Sequence, residues 1–453
     1  MSYKSVNGKS QIRVKSNSVA DIAKLGLCCS CGACAWACPQ KAISYVETVS
    51  GNILPLINTA ECTECGICLS VCPAVCLGSS VIERLPHDPF TGNALQTYVG
   101  KATDKELYAN SQSGGIVSAL LTHALKTGEI AGAATVVMVA GNPPRATATL
   151  AKSTAEIRQA QKSKYCPVPL LSILDEFKEL EGPIAIVGVA CQIHALCNIL
   201  EQYPQFKEKV SFTVGLICER VMTYGAIDFL LKKTNLSKKK KVTMLHFRDK
   251  ACGGYPGNVN VIYSDGYSVS LPASARMQIK DFFTPACCRL CFDMMNVFSD
   301  ITVGDPWGID GVDRIGGESA VILRTETGRS VFQNTLKDSA VTAREISYNE
   351  VLVGQKIEHK KSQWYGYVEA WKKSGRPLPN YWELVCRCSS TQHRNDYYQS
   401  SLRHALSLDK YPSRAAIVAA VEKKLFFQKI KRKATLPFRA MKRLLGRISK
   451  NII

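Results

Sequence analysis

The sequence predicts an α/β protein built from a small α+β module rich in cysteine, a larger α/β domain after it and a helical, basic tail. Three observations carry that prediction. Eight cysteines fall in two copies of one spacing, apolar runs of strand length then alternate with helical patterns, and the last thirty residues interleave lysine and arginine with large apolar side chains. Residues 1–26 read as an N-terminal extension, 27–80 as the cysteine module, 81–97 as a linker, 98–355 as the large domain and 356–453 as a helical extension with a basic tail.

The first copy runs Cys28-x-x-Cys31-x-x-Cys34-x-x-x-Cys38-Pro39 and the second Cys62-x-x-Cys65-x-x-Cys68-x-x-x-Cys72-Pro73. Three cysteines two residues apart share one tight loop, and a fourth arrives from elsewhere, which is how two-cluster ferredoxins hold iron and sulfide. In that arrangement the fourth cysteine of each run serves the other cluster. Cys28, Cys31, Cys34 and Cys72 are therefore assigned to one 4Fe-4S cluster, and Cys62, Cys65, Cys68 and Cys38 to a second. The proline after each last cysteine turns the chain away. Structural zinc takes four ligands, usually as two separated pairs, and does not need this density. A disulfide scaffold would need an exported chain, and the residues from Met1 to Asn7 show no apolar signal core. The expectation is reduced thiols in a cytoplasm.

The chain has 453 residues, 20 of them cysteine, and a formal net charge of +20. That length allows a small module plus one large domain or two medium ones. No stretch reaches the roughly 18 apolar residues of a spanning helix; the longest candidate, 130–140, is too short and contains Gly132. The basic tail, from Lys423 onward, suits peripheral contact with an anionic membrane face or a docked helix. Nucleic acid is not expected, because no aromatic platform or recognition helix is visible.

Beyond a Pro- and Gly-containing connector at 86–91, residues 98–103 look like a strand. A helical pattern (Ile116, Leu120, Leu121, Leu125) stops at Thr127 and Gly128. Strand-like runs at 134–139, 184–187, 212–217 and 259–263, separated in several places by helical stretches, favour a largely parallel sheet. Trp364, Trp371 and Trp382 read as packing anchors of the last third, and the four lysines at 238–241 as an exposed loop. Cys191 and Cys218 each follow a strand, where ligands of open α/β sheets gather. With the pair Cys288-x-x-Cys291 they would complete a third cluster, although buried cysteine is also a common small apolar filler. Cys287, adjacent to Cys288, leaves that ligand open by one position.

With these motifs in view the chain resembles the beta-subunit family of coenzyme F420 (deazaflavin) hydrogenases and dehydrogenases. The residues that carry the resemblance are Ser111-Gln112-Ser113-Gly114-Gly115, Lys164-Tyr165, the run from Gly188 to Gln192, Leu216-Ile217-Cys218, the run from Phe247 to Lys250, Cys288-x-x-Cys291 and the run from Ser299 to Gly308. They span about residues 27 to 327 in family order. The resemblance implies FAD beside the iron–sulfur clusters, and it strengthens the third cluster of Cys191, Cys218, Cys288 and Cys291. Ser111, Gln112, Ser113, Gly114 and Gly115 at a helix start would cradle the pyrophosphate, whereas without the resemblance they read as an ordinary serine cap. Lys164, Tyr165, Gln192, Asp305 and Trp307 are implied to line the cofactor pocket. The alternatives are a surface lysine for Lys164 and a core position for Trp307. Arg248 and Lys250 are candidates for an anionic cofactor or for a solvated loop, and His194 for a proton donor or a core histidine. A G-x-G-x-x-G fingerprint is missing, so a direct dinucleotide site lacks support.

The expected function is an iron–sulfur flavoprotein oxidoreductase. Electrons from ferredoxin or another redox partner would pass through the clusters to FAD and on to a deazaflavin or other small molecule, or the reverse. The alternative is an electron-transfer subunit of a larger redox complex, and a third class is an interaction protein using the tail. Many family members work inside hydrogenase or formate dehydrogenase assemblies. The module and tail of this chain look more like stand-alone members, some associated with cell-surface polysaccharide biosynthesis.

Overall fold

Short elements frame each cysteine run. Helix Val19–Leu25 ends at Gly26 in the left-handed conformation (φ 81°), and helix Ala33–Ala37 starts inside the first run from Gly32, also left-handed (φ 100°). Strands β1 (Ile43–Glu47) and β2 (Ile53–Ile57) then form an antiparallel hairpin, and helix Ile67–Ser70 lies inside the second run. The computed structural model describes residues 17–83, 86–236, 240–382, 385, 396–428 and 430. The expectations for the basic tail from residue 431 onward, and for Lys238 and Lys239, lie outside the described residues.

The remaining strands are β3 (Gln96–Ala102), β4 (Gly132–Val139), β5 (Arg145–Ala151), β6 (Ile184–Val189), β7 (Val210–Leu216), β8 (Val242–Asp249), β9 (Asn258–Tyr263), β10 (Ser268–Leu271), β11 (Ile301–Gly304), β12 (Ser319–Leu323) and β13 (Val341–Glu345). Eight of them make one sheet in the order β13-β3-β12-β11-β7-β6-β4-β5. The expected largely parallel sheet is corrected to a mixed one. Only β4, β6, β7 and β11 run parallel, while β12, β3, β13 and β5 pair antiparallel at the flanks. The run at 259–263 lies elsewhere, as the middle strand of a separate three-stranded antiparallel sheet, β10-β9-β8.

Strands buried on both faces explain why the central runs read as continuously apolar. Ile184 and Ile186 of β6 point into one core with Trp36, Val71, Leu171 and Trp371. The intervening Ala185 points into another with Leu120, Phe212 and Phe332. Strand β12 divides in the same way, Ala320 and Ile322 to the first core, Val321 and Leu323 to the second, as the two-residue period of a strand requires. The second core is closed by helices Ile116–Lys126 and Glu326–Lys337. The first is closed by the cysteine module and by helix Ile357–Lys373, whose Trp364 stacks on Trp382 at 4.7 Å. The connector is packed as well, with Phe90 buried edge-on against Trp364. A third core lies under the small sheet and takes in Ile417, Val418 and Val421 of the C-terminal region. Among the described residues no helix is long and apolar enough to cross a membrane.

Candidate redox site

The carboxyl ends of β3, β6, β7 and β11 lie on one edge of the main sheet, since β3 and the parallel centre share a direction. The segment 111–115, Cys191, Cys218 and Asp305 all follow those ends, so the fold delivers them to one side.

The cysteines fall into three groups in series. Cys28, Cys31 and Cys34 face one another and Cys72, which belongs to the other sequence copy. In the second group Cys68 faces Cys65, Cys38 and Cys62. In the third, Cys191 faces Cys291, Cys288 and Cys218. Cys34 and Cys68 interact across the first and second groups. Cys29, between the first and third, hydrogen-bonds through its thiol to both Cys31 and Cys191. Sequence reasoning gave Cys29 no role, because only the fold brings Cys191 beside the first run.

Burial governs the thiols. It pushes Cys28, Cys34 and Cys218 up to about 12, with mutual repulsion between neighbouring cysteines adding to the shift. The hydrogen bond from Cys29 lowers Cys191 while burial raises it, leaving it at about 11. Cys288 differs: the thiol of Cys287 hydrogen-bonds to it and draws it down to about 7. Backbone amides also point at these sulfurs, from Ser30 to Cys28 (3.5 Å), Ala33 to Cys31, Ala74 to Cys72, Val19 to Cys68 and Val221 to Cys288. Among the described residues no three His, Cys, Asp or Glu side chains stand close enough to grip a single ion. A four-iron cube is a larger object, with one thiolate at each of four separated corners.

A basic, aromatic cluster of side chains lies beside the third group. The Lys250 ammonium donates to Ser111 Oγ (3.2 Å), Ser113 O (3.0 Å) and Gly316 O (2.9 Å) and lies 3.8 Å from the centre of the Tyr108 ring. Burial lowers it to about 8. Arg248 grips Asp305 with two bonds (2.6 and 3.1 Å) and donates from Nε to Pro256 O. Tyr255 donates to the same carboxylate (3.1 Å), and its ring lies 5.6 Å from Trp307, which is 41% exposed and so is not a core tryptophan. Arg276 lies over the Tyr165 ring at 4.8 Å, its Nε buried with no partner among the described residues. It also faces Glu219, which joins the pocket to Cys218.

Other candidates spend their polar groups on the protein. Lys164 is not a surface lysine: its ammonium caps the carbonyls of Ala160 and Gln161, and burial lowers it to about 7. Gln192 accepts from the amide of Val189 (3.0 Å) and donates to Val168 O (3.1 Å). Gln112 accepts from the amide of Ser163 (3.0 Å). The amide of Gly114 donates to Ser319 Oγ (3.0 Å), and a Cβ there would collide with Gly100 O and Ser319 N. Its small size thus answers to strand packing. Gly115 is left-handed (φ 77°) and opens helix Ile116–Lys126. His194 is buried and bonds Asp293 at 2.8 Å between Phe292 and Phe298, the setting of a core histidine.

Residues 97–175 match the N-terminal part and residues 182–349 the C-terminal part of the coenzyme F420 hydrogenase/dehydrogenase beta subunit. The chain belongs to that family. Its members are oxidoreductases. One subunit of the F(420)H(2) dehydrogenase of Methanosarcina mazei is 27% identical over 76% of this chain and 92% of its own. The coenzyme F420 hydrogenase subunit beta of Methanosarcina barkeri is 26% identical over 57% and 84%. A coenzyme F420-dependent sulfite reductase of Methanocaldococcus jannaschii is 24% identical over 81% of this chain and 54% of its own. The mixed sheet matches a chain of the F420-reducing [NiFe] hydrogenase complex from Methanosarcina barkeri. That match has a TM-score of 0.51 and 24% identity, and covers 66% of this chain and 99% of that one. The two matched regions enclose the segment 111–115, Cys191, Cys218, Cys288, Cys291 and most of the basic pocket. The cysteine module precedes both.

Proposed function

We propose that this family member is an iron–sulfur flavoprotein oxidoreductase in which three 4Fe-4S clusters lead from the protein surface to FAD. One observation carries the reading: three groups of four cysteines stand in series, joined by Cys34 with Cys68 and by Cys29 with Cys31 and Cys191. The residues fit four-iron clusters. Buried thiols this close could not all ionise alone, whereas an iron core holds its thiols deprotonated, and the amides aimed at sulfur are the hydrogen bonds that such centres use. Clusters of this kind supply one-electron relay, with Cys62, Cys65, Cys68 and Cys38 nearest the solvent because Cys65 is exposed. Ferredoxin or another donor would meet the chain there.

The pocket residues also fit a flavin. Lys250 and the unpartnered Nε of Arg276 offer positive charge to a pyrophosphate, the first-turn amides of helix Ile116–Lys126 offer donors, and Tyr165, Tyr255 and Trp307 offer aromatic faces. FAD bound there supplies the exchange between one- and two-electron chemistry. Arg248, buried and neutralised by Asp305, is held in place on β8 of the small sheet. A deazaflavin or another small organic molecule would be the partner in the two-electron step.

Anaerobic purification with iron, sulfide and flavin analysis tests this. Close to three four-iron clusters and one FAD per chain are expected, with Arg276→Gln lowering FAD occupancy at least tenfold while leaving iron unchanged. Only two clusters, or a flavin indifferent to Arg276, would overturn the corresponding part. A second reading, an electron-transfer subunit without its own organic substrate, is favoured by the likeness to a hydrogenase-complex chain along 99% of that chain's length. Turnover of a deazaflavin by the isolated chain with reduced ferredoxin separates the two.

A further inference from the structure

Around the third cysteine group the cations outnumber the carboxylates that pair with them among the described residues. Arg289, next to Cys288, is 5% exposed, and its guanidinium meets only neutral oxygens, Tyr367 Oη at 2.8 Å and the main-chain oxygen of Asp281 at 2.7 Å; its Nε has no partner. Lys360, on helix Ile357–Lys373, lines the same cleft as Cys288 and Cys291 and acts on Cys218. Its ammonium makes no direct hydrogen bond or ion pair among the described residues; the carboxylate that acts on it most is Glu219, which it shares with other cations. The nearby carboxylates are already engaged: Glu219 with Arg220 and Lys280, Asp281 with Arg220, and Asp293 with His194. A buried guanidinium without an anion is costly, so an anion belongs in this place.

We propose that Arg289 and Lys360 are the counter-cations of the cluster held by Cys191, Cys218, Cys288 and Cys291, and that they set its reduction potential above those of the other two clusters. The inference rests on the three-cluster reading. Four thiolates around iron and sulfide carry net negative charge, and reduction adds one more electron. Cations close by, in a medium of low dielectric, therefore favour the reduced form. The groups that act most strongly on Cys28, Cys34, Cys68 and Cys72 are other cysteines, Tyr45 and backbone amides, with no cationic side chain among them. Electrons entering at the surface group would run downhill towards the pocket.

The test is a redox titration followed by paramagnetic resonance on the full chain, purified anaerobically, as parent, Arg289→Gln, Arg289→Lys and Lys360→Gln. The third signal is assigned by its loss in Cys218→Ala. It is expected to be the most positive of three. It should move to more negative potential in Arg289→Gln and Lys360→Gln, stay near the parent value in Arg289→Lys, and leave the other two signals in place. Should Arg289→Gln fail to fold, Lys360→Gln, half-buried and without a hydrogen-bond partner to lose, carries the test. An unmoved third signal in Lys360→Gln and in any folded Arg289→Gln, or a third signal lying below the others in the parent, overturns the inference. Finding only two clusters in the parent overturns the three-cluster reading itself.

Discussion

The two cysteine runs repeat one spacing, yet the fold treats them in opposite ways. In the first, Gly32 (φ 100°) abuts the main chain of the large domain, so that a Cβ would stand 2.6 Å from Ser172 N and 2.7 Å from Leu171 N; the amide of Leu171 donates to Cys31 O at 2.9 Å. In the second, the equivalent Gly66 (φ 76°) has nothing among the described residues within 4 Å of that position. Cys31 and Cys34 are buried while Cys65 is exposed. A duplicated motif thus supplies one docked copy and one open copy. The cysteine spacing is common to both, but the surroundings differ.

The two glycines test this asymmetry most directly. Gly66→Ala should cost only the strain of a left-handed alanine, about 1 kcal/mol. Gly32→Ala adds a collision with backbone that cannot swing aside, and should cost roughly 3 kcal/mol or more. Thermal unfolding of the two variants measures the gap; equal losses would show that the first copy is not docked. The crossing between copies comes next. Cys72→Ser, although in the second run, should remove the same resonance signal as Cys28→Ser, and Cys38→Ser the same signal as Cys62→Ser. Pairing by sequence copy instead would place each cluster within its own run. The smallest effect is chemical. In metal-free protein that keeps its circular dichroism, iodoacetamide at neutral pH should label the exposed Cys65 before its counterparts in the first run. Cys28 and Cys34, held up near 12 by burial, should lag by at least tenfold, as peptide mapping would show.

Much of this is legible in the sequence because cysteine spacing is a short-range signal. The crossed grouping of the eight N-terminal cysteines, and the convergence of Cys191 and Cys218 with the pair at 288 and 291, follow from loops and strand ends. Strand direction is not short-range. Period and composition place β3 and β6 as strands, but nothing local says that β12 returns antiparallel between β3 and β11, so the flanks of the sheet escape a local reading. The hairpin β1-β2 and the flanks of the small sheet escape it for a different reason: their partners are near in the chain, but β2 carries Pro55 and no apolar alternation, and β10 is only four residues long. Within the pocket, Lys164 and Gln192 are satisfied by carbonyls and an amide close along the chain or across the fold, and Gly114 answers to Gly100 and Ser319. Residue type alone could not separate those duties from cofactor contact. The same limit hides Arg276 and Arg289, whose interest lies in having no partner at one atom.

Trp36, Val71 and Leu77 share a core with Ile186 and Leu196, and the backbone at Cys31 is hydrogen-bonded to Leu171. On the proposed three-cluster reading, the spacing between the first and third cysteine groups is decided once, when the chain folds, and not anew at each encounter. A freely diffusing carrier loses speed as the solvent thickens or its docking partner grows scarce. Passage past Cys29 would be indifferent to both, leaving only the outermost step, at Cys65, to respond to viscosity and to the supply of donor.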